Sequence, residues 1–181
     1  SRGKDVSVTD LSDQTGKVDI QGPSSARILS RILKTPAEVF ERMPYFSFKG
    51  HFDEKSPFSE KVRLVDDTPL LLSRTGYTGE FGFEMFVAPE GLLRLWDMLL
   101  EAGEEFNLIP CGLASRDSLR TGAKLPLSHQ DIGNWPFMNN PWTFALPLNA
   151  DGSGFTKKFI GDEALKSVDA PEYTYAFTGY D

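Results

Sequence analysis

The chain has 181 residues, 40% hydrophobic and 25% charged, with a formal charge of −7; this is the composition of a globular protein long enough to bury a sizeable core. The acidic balance argues against non-specific nucleic-acid binding, and no apolar run reaches the roughly 18 residues of a membrane span. A lone cysteine, Cys111, excludes an internal disulfide, and with only His51 and His129 beside it there is no metal-ligand spacing.

The first ten residues, "SRGKDVSVTD", lack the apolar core of a signal peptide. The expected setting is the cytoplasm, or an organelle matrix such as the mitochondrial one if a transit segment has been removed. Residues 17–21, "KVDIQ", read as a strand ending at Gly22-Pro23. A helix follows with Ala26, Ile28, Leu29, Ile32 and Leu33 on one stripe and Ser24 or Ser25 as its cap. "TPAE" at 35–38 has the form of a capping box, with Thr35 as cap, Pro36 in the first helical position and Glu38 reaching back; it opens a short helix through Phe40 and Met43.

The middle reads as strands at 44–52, 61–65, 69–74 and 81–88. In the last of these, Phe81, Phe83, Met85 and Val87 alternate onto a core face, while Gly82, Glu84, Phe86 and Ala88 take the other face. A helix from "PEG" to Gly103 carries Leu92, Leu95, Trp96 and Leu99 on its stripe. "NLIPCG" reads as a short strand and "LASRDSLRTG" as a helix closed by Gly122. Cys111 between them is expected to be buried and inert. Beyond Gly122 the periodicity fades into a long proline- and tryptophan-bearing loop. "GDEALKSV" then reads as a helix, and "YTYAF" as the start of a strand. The order predicts an α+β fold, with antiparallel or mixed sheets and helices packed on one face.

The stretch "SRTGYTGEFGFEMF" (73–86) carries Gly76, Gly79 and Gly82 at intervals of three, with Glu80 and Glu84 among them. It is not a phosphate loop, because it lacks the closing Gly-Lys-Ser/Thr, and the carboxylate of Glu80 would repel phosphate. It is not a dinucleotide fingerprint, because it opens into a strand rather than a helix. No Ser-His-Asp or Cys-His set is recognisable from order, and Asp66-Asp67 reads as a turn. Recognition of a polar ligand remains: a carboxylate accepts two parallel N–H bonds from a guanidine-like edge such as that of a pterin. For Glu84 the plain alternative is an exposed strand position. For Arg116 it is a surface helix salt bridge of little energetic weight.

"SRTGYTGEFGFEMFV" followed by "IPCGLASRDSLRTGAKLP" resembles the glycine cleavage system T-protein, the aminomethyltransferase family, and "DIQGPSSARIL" and "FIGDEAL" look like further landmarks in the same order. The resemblance runs from about residue 5 to 166. It implies stacked α+β lobes of ferredoxin-like form around a tetrahydrofolate site, in a transferase of one-carbon metabolism and glycine catabolism. Such an enzyme moves a one-carbon unit from the aminomethyl-lipoyl arm of H-protein to tetrahydrofolate and releases ammonia. By motif position, Glu84 would grip the pterin edge, Arg116 would help build the same site, and Tyr77 would wall the pocket or pack beneath the hairpin.

The resemblance also implies a central fragment, lacking the N-terminal region with the expected catalytic aspartate and the C-terminal barrel. No catalytic residue is therefore assigned, and the fragment alone is expected to be inactive. The implied divisions are residues 1–60 in a first lobe, 61–166 in a second lobe with the folate-site hairpin, and 167–181 as linker and first strand of a further domain. Ser128-His129 and "FMNNPWTFALPL" depart from the family pattern on the side where the donor enters. A tetrahydrofolate-dependent demethylase of a small methylated donor and a non-enzymatic folate-binding scaffold are the alternatives.

Overall fold

The computed structural model describes residues 5, 7–132, 145–168, 175 and 177–179. Two compact units divide it, Ser1–Leu113 and Ala114–Asp181. No helix among the described residues is long and apolar enough to cross a membrane.

The first unit is built on an antiparallel sheet in the order β1-β5-β4-β2, with β3 also paired to β4. The strands are β1 (Gly16–Gln21), β2 (Phe48–Gly50), β3 (Val62–Arg63), β4 (Pro69–Ser73) and β5 (Gly82–Val87). Three helices accompany them, α1 (Ser25–Ile32), α2 (Pro36–Phe40) and α3 (Leu92–Gly103). The α+β fold expected from the order of elements is the one observed.

Period-two alternation sets the sheet's two faces. Ile20, Leu70, Leu72, Phe83, Met85 and Val87 are buried and join Ile28, Leu29 and Ile32 of α1 and Leu95, Met98 and Leu99 of α3 in one core. Each such side chain contributes about 1.5–3 kcal/mol by leaving water. The opposite face carries no helix of this core. It presents Lys17, Asp19 and Gln21 from β1, Glu84 and Phe86 from β5, and Leu71 and Ser73 from β4, residues that alternate with the core set along these strands, and Phe48 of β2, which shares their face through its pairing with Ser73.

Several local expectations give way. Neither Ser24 nor Thr35 makes a side-chain cap bond. Ser25 Oγ instead donates to the Gly22 carbonyl at 2.7 Å, so the serine secures the turn into α1 rather than the helix amides. The predicted strand 44–52 narrows to Phe48–Gly50, because Phe46 turns the chain at φ 63°. Trp96 lies on the exposed side of α3 and Met98 fills the core in its place. No strand forms at "NLIPCG", and Cys111 is exposed, with no strand among the described residues paired to that segment. The division expected between residues 60 and 61 falls inside the sheet, whose strands β1 and β5 pair across it.

The second unit contains most of α4 (Leu113–Gly122), a π-helical turn at Ser128–Ile132 and α5 (Asp162–Lys166). Among the expectations beyond Gly122, residues 133–144 and most of the "YTYAF" strand lie outside the described residues.

Candidate functional site

Gln21 organises the loop between β4 and β5. It pairs with Gly82 at the end of the β1–β5 ladder, and its side chain enters the loop. Nε2 donates to the carbonyls of Thr75 and Phe83, each at 3.3 Å, and Thr78 Oγ1 donates to Oε1 at 3.2 Å. The Gly22 amide adds a bond of 2.6 Å to the Phe81 carbonyl.

The glycines follow from this insertion. A Cβ at position 76 would stand 2.1 Å from Gln21 Oε1, and one at position 82 would stand 2.3 Å from it. Gly79 takes φ 75°, a left-handed conformation open to glycine at little cost. The space at Gly76 and Gly82 is thus filled by the protein's own carboxamide and is not open to a ligand ring.

Once pinned, the loop aims Thr75 at Glu84. Ser73 pairs with Glu84 in the β4–β5 register, Ser73 Oγ lies 2.9 Å from Thr75 Oγ1, and Thr75 Oγ1 donates to Glu84 Oε2. On the other side, Lys17 Nζ lies 2.5 Å from Glu84 Oε1 and 3.3 Å from Asp19 Oδ1. Asp19 is the residue directly across from Glu84 on β1. Two carboxylates placed opposite each other repel, and the ammonium between them offsets that repulsion. Burial pulls the Lys17 pKa down, but the hydrogen bond to Glu84 and the charges of Asp19 and Glu84 outweigh it, so it stands above the ordinary lysine value.

The Glu84 side chain is 19% exposed. Its register partner Ser73 lines an open recess of about 190 Å³, together with Phe48, Phe52, Leu71 and Phe86. The register connects the two features, since Glu84 pairs with Ser73 and Ser73 with Phe48 across β5, β4 and β2. A preorganised carboxylate beside an aromatic floor is suited to a flat ring that has N–H donors on one edge and apolar faces.

Tyr77 is half-buried on the same loop as Thr75. Arg116 is exposed on α4 and belongs to the second unit, where the buried arginine of the same motif is Arg120. Its guanidinium binds Asp117 Oδ1 at 2.6 Å, the Leu125 carbonyl at 3.2 Å, and Asp131. The Leu127 amide also donates to Asp131 Oδ2 at 2.8 Å, so this ion pair fixes the chain after α4. Among the described residues no group of His, Cys, Asp and Glu is arranged to hold a metal ion.

The sequence singled out Glu84 as a candidate but not Lys17, Asp19, Gln21 and Thr75, which the structure places around it or around its loop. The alternation of β1 places Lys17, Asp19 and Gln21 on one face and was legible as such. Their convergence on the 74–84 segment was not, because those partners lie more than fifty residues further along the chain.

Residues 1–137 match the family described as GCVT N-terminal domain. The aminomethyltransferase of Bacillus cytotoxicus is 37% identical over 168 residues, covering 90% of this chain and 39% of that protein. The aminomethyltransferase of Bacillus cereus (strain ZK / E33L) is 40% identical over the same length, with the same two shares. That of Shouchella clausii is 37% identical over 167 residues, 89% of this chain and 39% of the relative. The chain spans about two-fifths of the length of these relatives.

Proposed function

The chain belongs to the family of GCVT N-terminal domains, and on that premise we propose that it forms the folate-holding part of an aminomethyltransferase of the glycine cleavage system. The reaction moves a one-carbon unit from an aminomethyl group on the lipoyl arm of H-protein to tetrahydrofolate, with release of ammonia. The curated relatives named aminomethyltransferase support this reading. Tetrahydrofolate supplies the nitrogens that accept the one-carbon unit. The proposed role of this chain is to bind and orient it. A cytoplasmic setting accompanies the reading.

One observation carries the assignment of the site. Glu84 stands on the sheet face opposite the α1–α3 core, held by Lys17 and Thr75, beside a recess floored by Phe86 and Leu71. Its carboxylate oxygens accept hydrogen bonds only, which matches the ring N–H and 2-amino group of a pterin. Phe48, Phe52 and Phe86 match the apolar faces of the ring. Tyr77 would close the edge of the site, and Arg116 is proposed as a folate-binding residue on its motif position alone. Rate enhancement would come from holding acceptor and donor in line.

The test is calorimetric titration with 5-formyltetrahydrofolate, a stable stand-in for the reactive folate, of the chain and of its Glu84→Gln variant. Binding that weakens in the variant supports the site, and equal affinity in the two rejects it.

A further inference from the structure

We infer that Lys17 is a positioning residue that competes with the ligand for Glu84: its ammonium holds the carboxylate in the free protein and passes to Asp19 when a ligand's N–H edge takes its place. The inference rests on the reading of Glu84 as the ligand's anchor.

Three observations place the ammonium where a ligand would go. Lys17 Nζ is already at 2.5 Å from Glu84 Oε1. It also stands over the Phe86 ring, 5.8 Å from its centroid, and Phe86 is both the register partner of Lys17 and part of the recess floor. A flat ring that met Glu84 edge-on and lay against that floor would occupy the same space. Thr75 does not compete in this way. Its hydroxyl approaches Oε2 from the loop, and a carboxylate oxygen has a second lone pair to offer.

Asp19 gives the displaced ammonium somewhere to go. It is directly opposite Glu84 in the ladder, and its Oδ1 is already 3.3 Å from Lys17 Nζ. The lysine side chain is 44% exposed, and its flexible four-carbon stem lets the ammonium shift between two neighbouring acceptors without moving the backbone. The exchange keeps the Lys17 ammonium beside both carboxylates throughout. A ligand offering a single N–H would not replace a charge-assisted bond, whereas two parallel N–H donors would. Lys17 thereby sets a threshold that favours ligands with a two-donor edge.

The inference is tested by titrating the chain and its Lys17→Met, Lys17→Arg, Asp19→Asn and Lys17→Met/Asp19→Asn variants with 5-formyltetrahydrofolate, alongside Glu84→Gln. Lys17→Met is expected to bind about two- to fivefold more tightly, the scale of a partly exposed ion pair. Lys17→Arg retains a cation and should stay near the parent. Asp19→Asn should bind more weakly when Lys17 is present and show no further effect when it is Met. A merely structural role for Lys17 would give the opposite sign, and a weakened or unchanged Lys17→Met overturns the exchange. If that occurs while Glu84→Gln loses affinity, the anchor stands and only the exchange fails. Absence of binding in every protein, or equal binding by Glu84→Gln, overturns the anchor and the exchange with it.

Discussion

Gln21 and Gly82 meet across β1 and β5 so closely that a single Cβ on residue 82 would stand 2.3 Å from Gln21 Oε1 and 2.6 Å from the Ile20 carbonyl. The second of those neighbours is backbone and cannot step aside. Replacing Gly82 by Ala is therefore expected to destabilise the first unit by about 1–3 kcal/mol, as for other overpacked sites. A lowered midpoint in denaturant unfolding would show it, and an unchanged midpoint would contradict the packing described.

Glu84→Gln keeps the shape of the side chain but removes its charge and one acceptor oxygen. The expected loss in affinity for 5-formyltetrahydrofolate is about 1.5–3 kcal/mol, the range for a hydrogen bond to a charged group. That corresponds to roughly a ten- to hundredfold rise in Kd in the calorimeter.

Thr75→Val removes the hydroxyl that donates to Glu84 Oε2 while keeping a β-branched side chain. Its effect on folate affinity should be smaller than that of Glu84→Gln, about 0.5–1.5 kcal/mol. Thr75→Ser should restore most of it. A valine variant as weak as Glu84→Gln would mean that the substitution had moved the loop itself.

Asp131 supplies a pH-dependent contact in the second unit. The Leu127 amide, with Arg120, holds its carboxyl below the ordinary aspartate value against the opposing effect of burial. A carboxyl depressed on folding stabilises the native state above its unfolded pKa, and that stability is lost as pH falls through the lower folded value. Amide exchange at Leu127 should therefore be slow at neutral pH and accelerate, relative to the intrinsic rate, once pH falls below the usual carboxylate range. In Asp131→Asn that added acid dependence should disappear.

Cys111 is exposed, and its Sγ lies 3.7 Å from the Ile109 carbonyl. It should react with one equivalent of a thiol reagent in the native chain without denaturant. Protection until unfolding would show that the thiol is covered.

The alternation of "FGFEMFV" was sufficient to place Glu84 away from the core, because period two admits only two faces and the apolar set selects one. The stripe of α1 was equally legible. What failed were inferences that needed a partner's position. Trp96 fits the helical period of α3, yet Met98 reaches the core, and only the packing of α3 against its neighbours decides between them. Thr35 has the sequence of a cap without making the bond. The glycine spacing announced a constrained loop but not its occupant, because Gln21 enters from 54 to 62 residues away.

That separation has a kinetic consequence. β4 and β5 are joined by a short connection and can pair early, whereas β1, at the edge of the sheet, closes a far longer loop before it docks. Until β1 arrives, the cage formed by Gly76 and Gly82 has no carboxamide inside it, and the carbonyls of Thr75 and Phe83 have no side-chain donor. The same strand brings Lys17 and Asp19. The polar apparatus around Glu84 is thus expected to be completed only when β1 docks, so the appearance of a competent site during refolding would time the arrival of that strand.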